Sequence, residues 1–148
     1  MINSYKRLGE FEAPKYIYWG RKNRDALIRI PETVHSSSSR IELRSPDPSA
    51  NPYLAFAVVL KAGLEGIKNK IDVEEPIEED IYESGIYKKL DTLPSNLKEA
   101  IEFLEKDELV KETLSLAYEK FIELKENEVV EYMQRKITDW ERQKYFDV

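Results

Sequence analysis

Eight consecutive residues without a charge, Tyr53 to Leu60, stand directly behind Pro52 and ahead of Lys61. Proline suits the first position of a helix, because its φ is already helical and its missing N–H would have had no partner there. A helix that is apolar on every side belongs inside a fold. The segment from Pro52 to about Lys70 is therefore expected to be a long buried helix, which returns to the surface at Lys61, Glu65 and Lys68.

On the N-terminal side of this helix the chain reads as strands. Lys15 to Trp19 is aromatic and β-rich before Gly20, and Ala26 to Ile30 stops at Pro31, a common strand terminus. A polar loop, Glu32 to Ser39, leads to Arg40-Ile41-Glu42-Leu43-Arg44. With the strand period of two, Ile41 and Leu43 share one face while Arg40, Glu42 and Arg44 share the other. On the C-terminal side, an acidic excursion over 72–95 carries Pro76 and Pro94. Ser95 is read as the cap of a helix with Leu97, Ala100, Ile101 and Leu104 on one stripe. A second stripe holds Leu114, Ala117, Tyr118, Phe121 and Leu124. A third runs Val130, Met133, Ile137 and Trp140, with a break near Thr138. Strands first and helices after give an α+β class. The strands of the N-terminal third are expected to be antiparallel. The whole of 1–148 reads as one unit, strand-rich over 1–50 and mainly helical over 51–148.

Composition narrows what such a chain can do. It has no cysteine and a single histidine, His35, which excludes disulfides, thiolate metal sites and any site needing two imidazoles from this chain. His35 sits in the polar loop and reads as an ordinary loop residue. Five glycines form neither a GxxxxGK[ST] nor a GxGxxG cradle. No apolar run approaches the roughly 20 residues of a membrane span, and Met1 to Arg7 has no signal-peptide core, so the chain reads as cytoplasmic. The net charge of −6 is uneven: residues 1–70 hold 12 Lys/Arg against 7 Asp/Glu, and residues 71–148 hold 11 against 22. A basic half points to an anionic partner. Here the basic residues are separated arginines (Arg7, Arg21, Arg24, Arg29, Arg40, Arg44) rather than a dense basic stripe. That favours a small phosphate or carboxylate ligand over nucleic acid.

The guanidinium fork matches carboxylate and phosphate oxygens in a way that lysine does not. A site that moves a phosphoryl group onto a carboxylate must gather several anions, and arginines with metal ions offset their repulsion. Glu42 between Arg40 and Arg44 could bind Mg²⁺ while its neighbours take ligand oxygens. The alternative is a solvated Arg-Glu-Arg ladder pairing across strands, worth little energetically.

The same residues resemble the glutamine synthetase family, type I, at several points in order. Asn3 to Leu8 followed by Glu12-Ala13-Pro14 is similar to its NSYKRL…EAP segment. Trp19…Asn23-Arg24 and Ile28-Arg29-Ile30-Pro31 are similar to its W…NR…IRIP segment. Arg40 through Leu54 is similar to its RIE-x-R-x-PDP-x-x-NPYL signature, and Ile137-Thr138-Asp139-Trp140-Glu141…Tyr145 to its closing VTDWE…Y. The resemblance covers nearly the whole chain and points to the C-terminal part of a glutamine synthetase/guanido kinase-like catalytic domain.

What the resemblance implies is ATP-dependent joining of ammonia to glutamate through γ-glutamyl phosphate. By motif position, Arg7 and Arg44 would bind glutamate, Glu12 would lie on the loop that closes over the intermediate, and Arg24 would contact the transferred phosphate and both substrates. Arg29 and Arg40 would reach ATP phosphates, and Glu42 would be one ligand of Mg²⁺ or Mn²⁺. The segment between Leu8 and Glu12 is one residue shorter than the family's VPGY and lacks its Pro-Gly. Ser36 to Ser39 stand where many members carry basic residues near ATP. Tyr82 falls near the tyrosine adenylylated in some bacterial members, in a context that matches that site poorly. One carboxylate cannot hold two or three divalent cations. The chain is therefore expected to be inactive until completed by the rest of a synthetase or by identical subunits. Two further readings are a non-catalytic domain that binds or regulates a synthetase, and a piece of a γ-glutamyl-polyamine ligase.

Overall fold

The structure is a computed structural model and describes residues 1–10, 13–135 and 137–146. Three strands of two residues each, β1 (Trp19–Gly20), β2 (Ile28–Arg29) and β3 (Glu42–Leu43), form one sheet in the order β1-β2-β3. Each falls within a segment whose residues favour extended backbone, although the ladders are shorter than those segments. β2 and β3 run antiparallel, with Ile28 opposite Leu43 and Arg29 opposite Glu42. β1 and β2 run parallel, with Trp19 beside Ile28, which corrects the expectation of antiparallel strands throughout. The connection explains the difference: it contains no two-residue hairpin turn of the Asn-Gly kind. Instead Asn23 Oδ1 accepts the Asp25 amide at 3.0 Å in a wider turn, and the chain returns to run beside β1 in the same direction.

The acidic excursion over 72–95 secures the free side of β1. The Ile77 amide donates to the Trp19 carbonyl at 3.0 Å, and Trp19 Nε1 donates to the Glu74 carbonyl at 2.7 Å. The Glu78 carboxylate accepts the amides of Arg21 and Lys22 at 3.1 to 3.2 Å. Gly20 is dictated by this approach, since a Cβ built there would lie 2.5 Å from the Ile77 carbonyl oxygen. Beneath the sheet, Tyr18, Ala26 and Ile81 are buried together, with Tyr16, Ile77, Tyr87 and Leu90 packed against them. Burying a side chain such as Ile81 stabilises by about 1.5–3 kcal/mol.

Helices α1 (Ile2–Lys6), α3 (Leu97–Leu104) and α5 (Tyr118–Arg135) make a second core, in which Leu97, Ile101 and Ile122 are buried and Ile2, Tyr5, Leu104, Tyr118 and Val129 pack around them. The cap of α3 is Asn96, not Ser95: extended backbone at Asn96 lets its Oδ1 accept the Glu99 amide at 2.9 Å. Ser95 instead donates its amide and hydroxyl to the Glu99 carboxylate, each at 2.8 Å. The stripe from Leu114 to Leu124 is not one helix. Helix α4 (Glu108–Leu114) ends in a 3₁₀ turn over Ser115–Ala117, with Ser115 at φ 46° and ψ −122°. The chain breaks at Thr138, as its sequence suggests. Thr138 caps α6 (Asp139–Tyr145) in a reciprocal capping box with Glu141.

Helix α2 (Pro52–Lys68) forms where expected, with Asn51 Oδ1 accepting the amides of Tyr53 and Leu54. Its burial does not follow. No residue of α2 is buried, and Tyr53, Phe56, Leu60, Leu64 and Ile67 are 84, 74, 65, 55 and 77 % exposed. One side rests on α4, and the described residues offer nothing to cover the other. Ile41, placed on one face with Leu43 by the strand period, is likewise 70 % exposed. Among the described residues no helix is long and apolar enough to cross a membrane.

Candidate functional site

The β2–β3 register sets Arg29 directly across from Glu42, while Arg40 precedes Glu42 by two residues and so shares its face. Glu42 Oε2 accepts Arg29 Nε at 2.8 Å and Nη2 at 2.6 Å. Its Oε1 accepts Arg40 Nε at 2.9 Å, with Arg40 Nη2 2.8 Å away. One carboxylate thus bridges two guanidinium groups, one oxygen to each. The hydrogen bonds from Arg29 hold the Glu42 carboxyl below its usual range, and those from Arg40 act in the same sense.

Arg44, the third charged residue of this stretch, reaches elsewhere. Its Nη1 donates to the Ala26 carbonyl at 3.5 Å, and its charge lies near the Tyr18 hydroxyl, whose pKa burial drives far upward. Arg7, just past the end of α1, donates from Nη2 to the carbonyl of Ser45, the residue after Arg44. Its Nε stands 3.6 Å from Asp47 Oδ2. Asp47 is itself organised by Ser49, which donates its amide at 2.7 Å and its hydroxyl to Oδ1. Those two bonds keep the Asp47 carboxyl below its usual range. Arg24 sits exposed in the turn after β1. Glu12 lies outside the described residues. The structure therefore brings Arg29, Arg40 and Glu42 into one cluster and joins Arg7 to the loop that follows Arg44.

Among the described residues, the donors at this place do not fit a divalent cation: Glu42 is the one carboxylate seen in the cluster and both of its oxygens are taken. Among the described residues, no group of three or more His, Cys, Asp or Glu could hold a metal ion. A cleft of about 560 Å³ does exist between α1, the 45–51 loop, α2 and α3, lined by Tyr5, Leu8, Leu54, Val58 and Ile101 among others. Its walls are mainly apolar, with Asp47, Asn51 and Lys125 among the polar residues and no arginine lining it, so it suits a side chain better than an anionic substrate. Sequence reasoning missed the contribution of Glu74, Glu78 and Glu79, whose carbonyls and carboxylate hold the end of β1 and the turn bearing Arg24. The only available signal was their position in an acidic stretch, which reads equally well as a solvated surface.

Comparison with known proteins identifies the family. The model of the glutamine synthetase catalytic domain matches residues 1–145. The chain is 50 % identical to the glutamine synthetase of Pyrococcus furiosus, over 98 % of this chain and 36 % of that protein. It is 47 % identical to that of Thermotoga maritima, over 97 % of this chain and 34 % of that protein. Among solved structures, ligand-free GmaS superposes on all of this chain with a TM-score of 0.84 at 38 % identity, covering 33 % of its own length. A GmaS complex with ADP gives the same TM-score at 36 % identity. The chain spans about a third of the length of the relatives it matches, and it belongs to the glutamine synthetase catalytic-domain family.

Proposed function

We propose that this chain supplies the arginine-bearing part of a glutamate–ammonia ligase active site, for ATP-dependent formation of glutamine. In that reaction the γ-carboxylate of glutamate attacks the terminal phosphorus of ATP and ADP leaves. Ammonia then displaces phosphate from the γ-glutamyl phosphate. Arg7 and Arg44 take the carboxylates of glutamate, Arg29 and Arg40 take polyphosphate oxygens, and Arg24 offsets the charge of the phosphoryl group in transit. Glu12 lies on the segment that closes over the intermediate. A bound Mg²⁺ or Mn²⁺ would bring further neutralisation of phosphate charge. Its remaining ligands would have to come from outside the described residues, with Glu42 first released from its arginines.

One observation carries the reading: two guanidiniums, Arg29 of β2 and Arg40 of the segment leading into β3, converge on a single oxyanion at Glu42, with Arg29 set opposite it by the β2–β3 register. An Arg-Glu-Arg ladder would make the same contacts, and the match of these residues to the glutamine synthetase catalytic-domain family is what favours a ligand site. That GmaS has been solved with ADP supports a nucleotide at the corresponding place. The partner in this reading is the rest of a synthetase, in the same chain or in identical subunits. The uncovered apolar face of α2 supports it, because Tyr53, Phe56, Leu60, Leu64 and Ile67 together exceed what a solvated helix normally shows.

The test is complementation. The chain is co-expressed with the Pyrococcus furiosus synthetase lacking the segment that it matches, and γ-glutamyl transfer is assayed. Activity that depends on both polypeptides, and that falls at least about a hundredfold in R7A or R44A, supports the proposal. A stable complex without activity sinks it. The chain alone should show weak or no calorimetric binding of ATP–Mg²⁺ or methionine sulfoximine.

A further inference from the structure

The edge of a guanidinium formed by Nε and Nη2 is the edge that grips two oxygens of a phosphate. In both Arg29 and Arg40 that edge is already turned onto Glu42. The second edge of Arg40 points to the Ser38 carbonyl, at 3.4 Å from Nη1. The cluster therefore presents two positive charges and one negative, with the oxygen-recognising sides of both arginines spent on a carboxylate of the same strand pair. The Arg29–Glu42 pair is only partly exposed, at 26 % for each side chain, while Arg40 is 54 % exposed, so water screens the first pair less than the second.

We propose that Glu42 is an internal anion that masks the Arg29–Arg40 pair, so that a polyphosphate engages these arginines only by displacing the carboxylate. This rests on the reading above, in which the two arginines receive phosphate oxygens, and adds to it a competition within the chain. In the unliganded chain Glu42 keeps the two guanidiniums side by side against their mutual repulsion. The same carboxylate lowers the affinity of the pair for any external oxyanion. Glu42 acts here as a positioning residue, through Arg29 and Arg40.

The measurement is calorimetric titration of the whole chain with inorganic tripolyphosphate, without divalent cations and at fixed ionic strength. E42Q should bind at least about tenfold more tightly than the parent, the factor expected when charge-assisted hydrogen bonds no longer compete. E32Q, which removes an equal charge from the exposed Lys22–Glu32 pair, should change affinity less than about twofold, because exposed charges are screened. The triple variant E42Q/R29A/R40A should lose the gain. Equal affinity of parent and E42Q, with both binding, overturns the mask but leaves the phosphate reading intact. Equal gains in E42Q and E32Q also overturn it, by reducing the effect to bulk charge. Binding by neither parent nor E42Q overturns the mask, while the reading beneath it stands or falls on the complementation assay. Should E42Q fail to fold, E42D serves in its place. Its side chain is one methylene shorter and cannot span both forks, so it should bind more tightly than the parent.

Discussion

Gly20→Ala tests the packing that holds the sheet and, through it, the arginine cluster. An alanine Cβ at this position would stand 2.5 Å from the Ile77 carbonyl oxygen, where ordinary contact begins at 3.4 Å. The obstacle is backbone rather than a flexible side-chain end, so relief requires the 77 peptide to move by most of an ångström. That movement works against the hydrogen bond from the Ile77 amide to the Trp19 carbonyl. Overpacking of this kind costs about 1–3 kcal/mol, and a weakened backbone bond adds about 0.5–1.5 kcal/mol. The narrower unfolded ensemble of alanine returns a few tenths. A net loss of about 2–3 kcal/mol follows. With a urea slope of about 1–3 kcal/mol/M for a small protein, the unfolding midpoint should drop by about 1 M or more. Amide exchange should quicken at Ile28 and Ile30, whose N–H groups bond to the carbonyls of Tyr18 and Gly20. A G20A chain with unchanged midpoint and slope would show that the 74–80 segment does not pack against β1 as described.

Gly63→Ala lies in α2 with nothing within 4 Å of the added Cβ, so the chain should gain about 0.5–1 kcal/mol in the same urea experiment. Ile81→Ala empties a fully buried position and should cost about 2–5 kcal/mol, read as a lower thermal midpoint. Ser115→Gly relieves a backbone conformation that side chains rarely adopt and should stabilise by about 1 kcal/mol; a loss would mean that the turn between α4 and α5 differs. For pH, the Asp47 carboxyl is held below its ordinary value by Ser49 first, with Ser4 and Arg7 assisting. A depressed folded pKa contributes stability that is present above the unfolded value of 3.8 and is lost as pH falls through the folded one. D47N should therefore flatten the stability profile between neutral pH and about pH 3 relative to the parent, in urea midpoints taken across that range.

Local chemistry was legible in the sequence wherever one residue decides the outcome within a few neighbours. Asn51 and Pro52 start α2, Thr138 and Glu141 start α6, and the alternation from Arg40 to Arg44 places Glu42 beside Arg40. What failed depended on distant partners. The apolar run of Tyr53 to Leu60 correctly marks a helix that wants cover, but periodicity carries no information about whether 148 residues provide it. The parallel pairing of β1 with β2 is set by the path of the 21–27 connection, and pattern reasoning sees only the strands it joins. The face predicted for Arg40, Glu42 and Arg44 held for two of the three. A two-residue strand ends before Arg44, which then turns to the Ala26 carbonyl.

A common device runs through four of the five arginines assigned to ligands. Arg7 is held by the Ser45 carbonyl and Asp47, Arg44 donates to the Ala26 carbonyl, and Arg29 with Arg40 share Glu42. Each fork already rests on a protein oxygen, so ligand binding exchanges one acceptor for another. The net gain from such an exchange is small for each bond, on the order of 1 kcal/mol, and affinity must come from filling several forks at once. One oxyanion is enough to bridge Arg29 and Arg40, as the Glu42 carboxylate does, so a single phosphate can take its place, and a triphosphate adds charge and oxygens that reach further forks. Inorganic phosphate should therefore bind the parent chain more weakly than tripolyphosphate, and both should gain in E42Q; a gain confined to one of them would refute the exchange of acceptors.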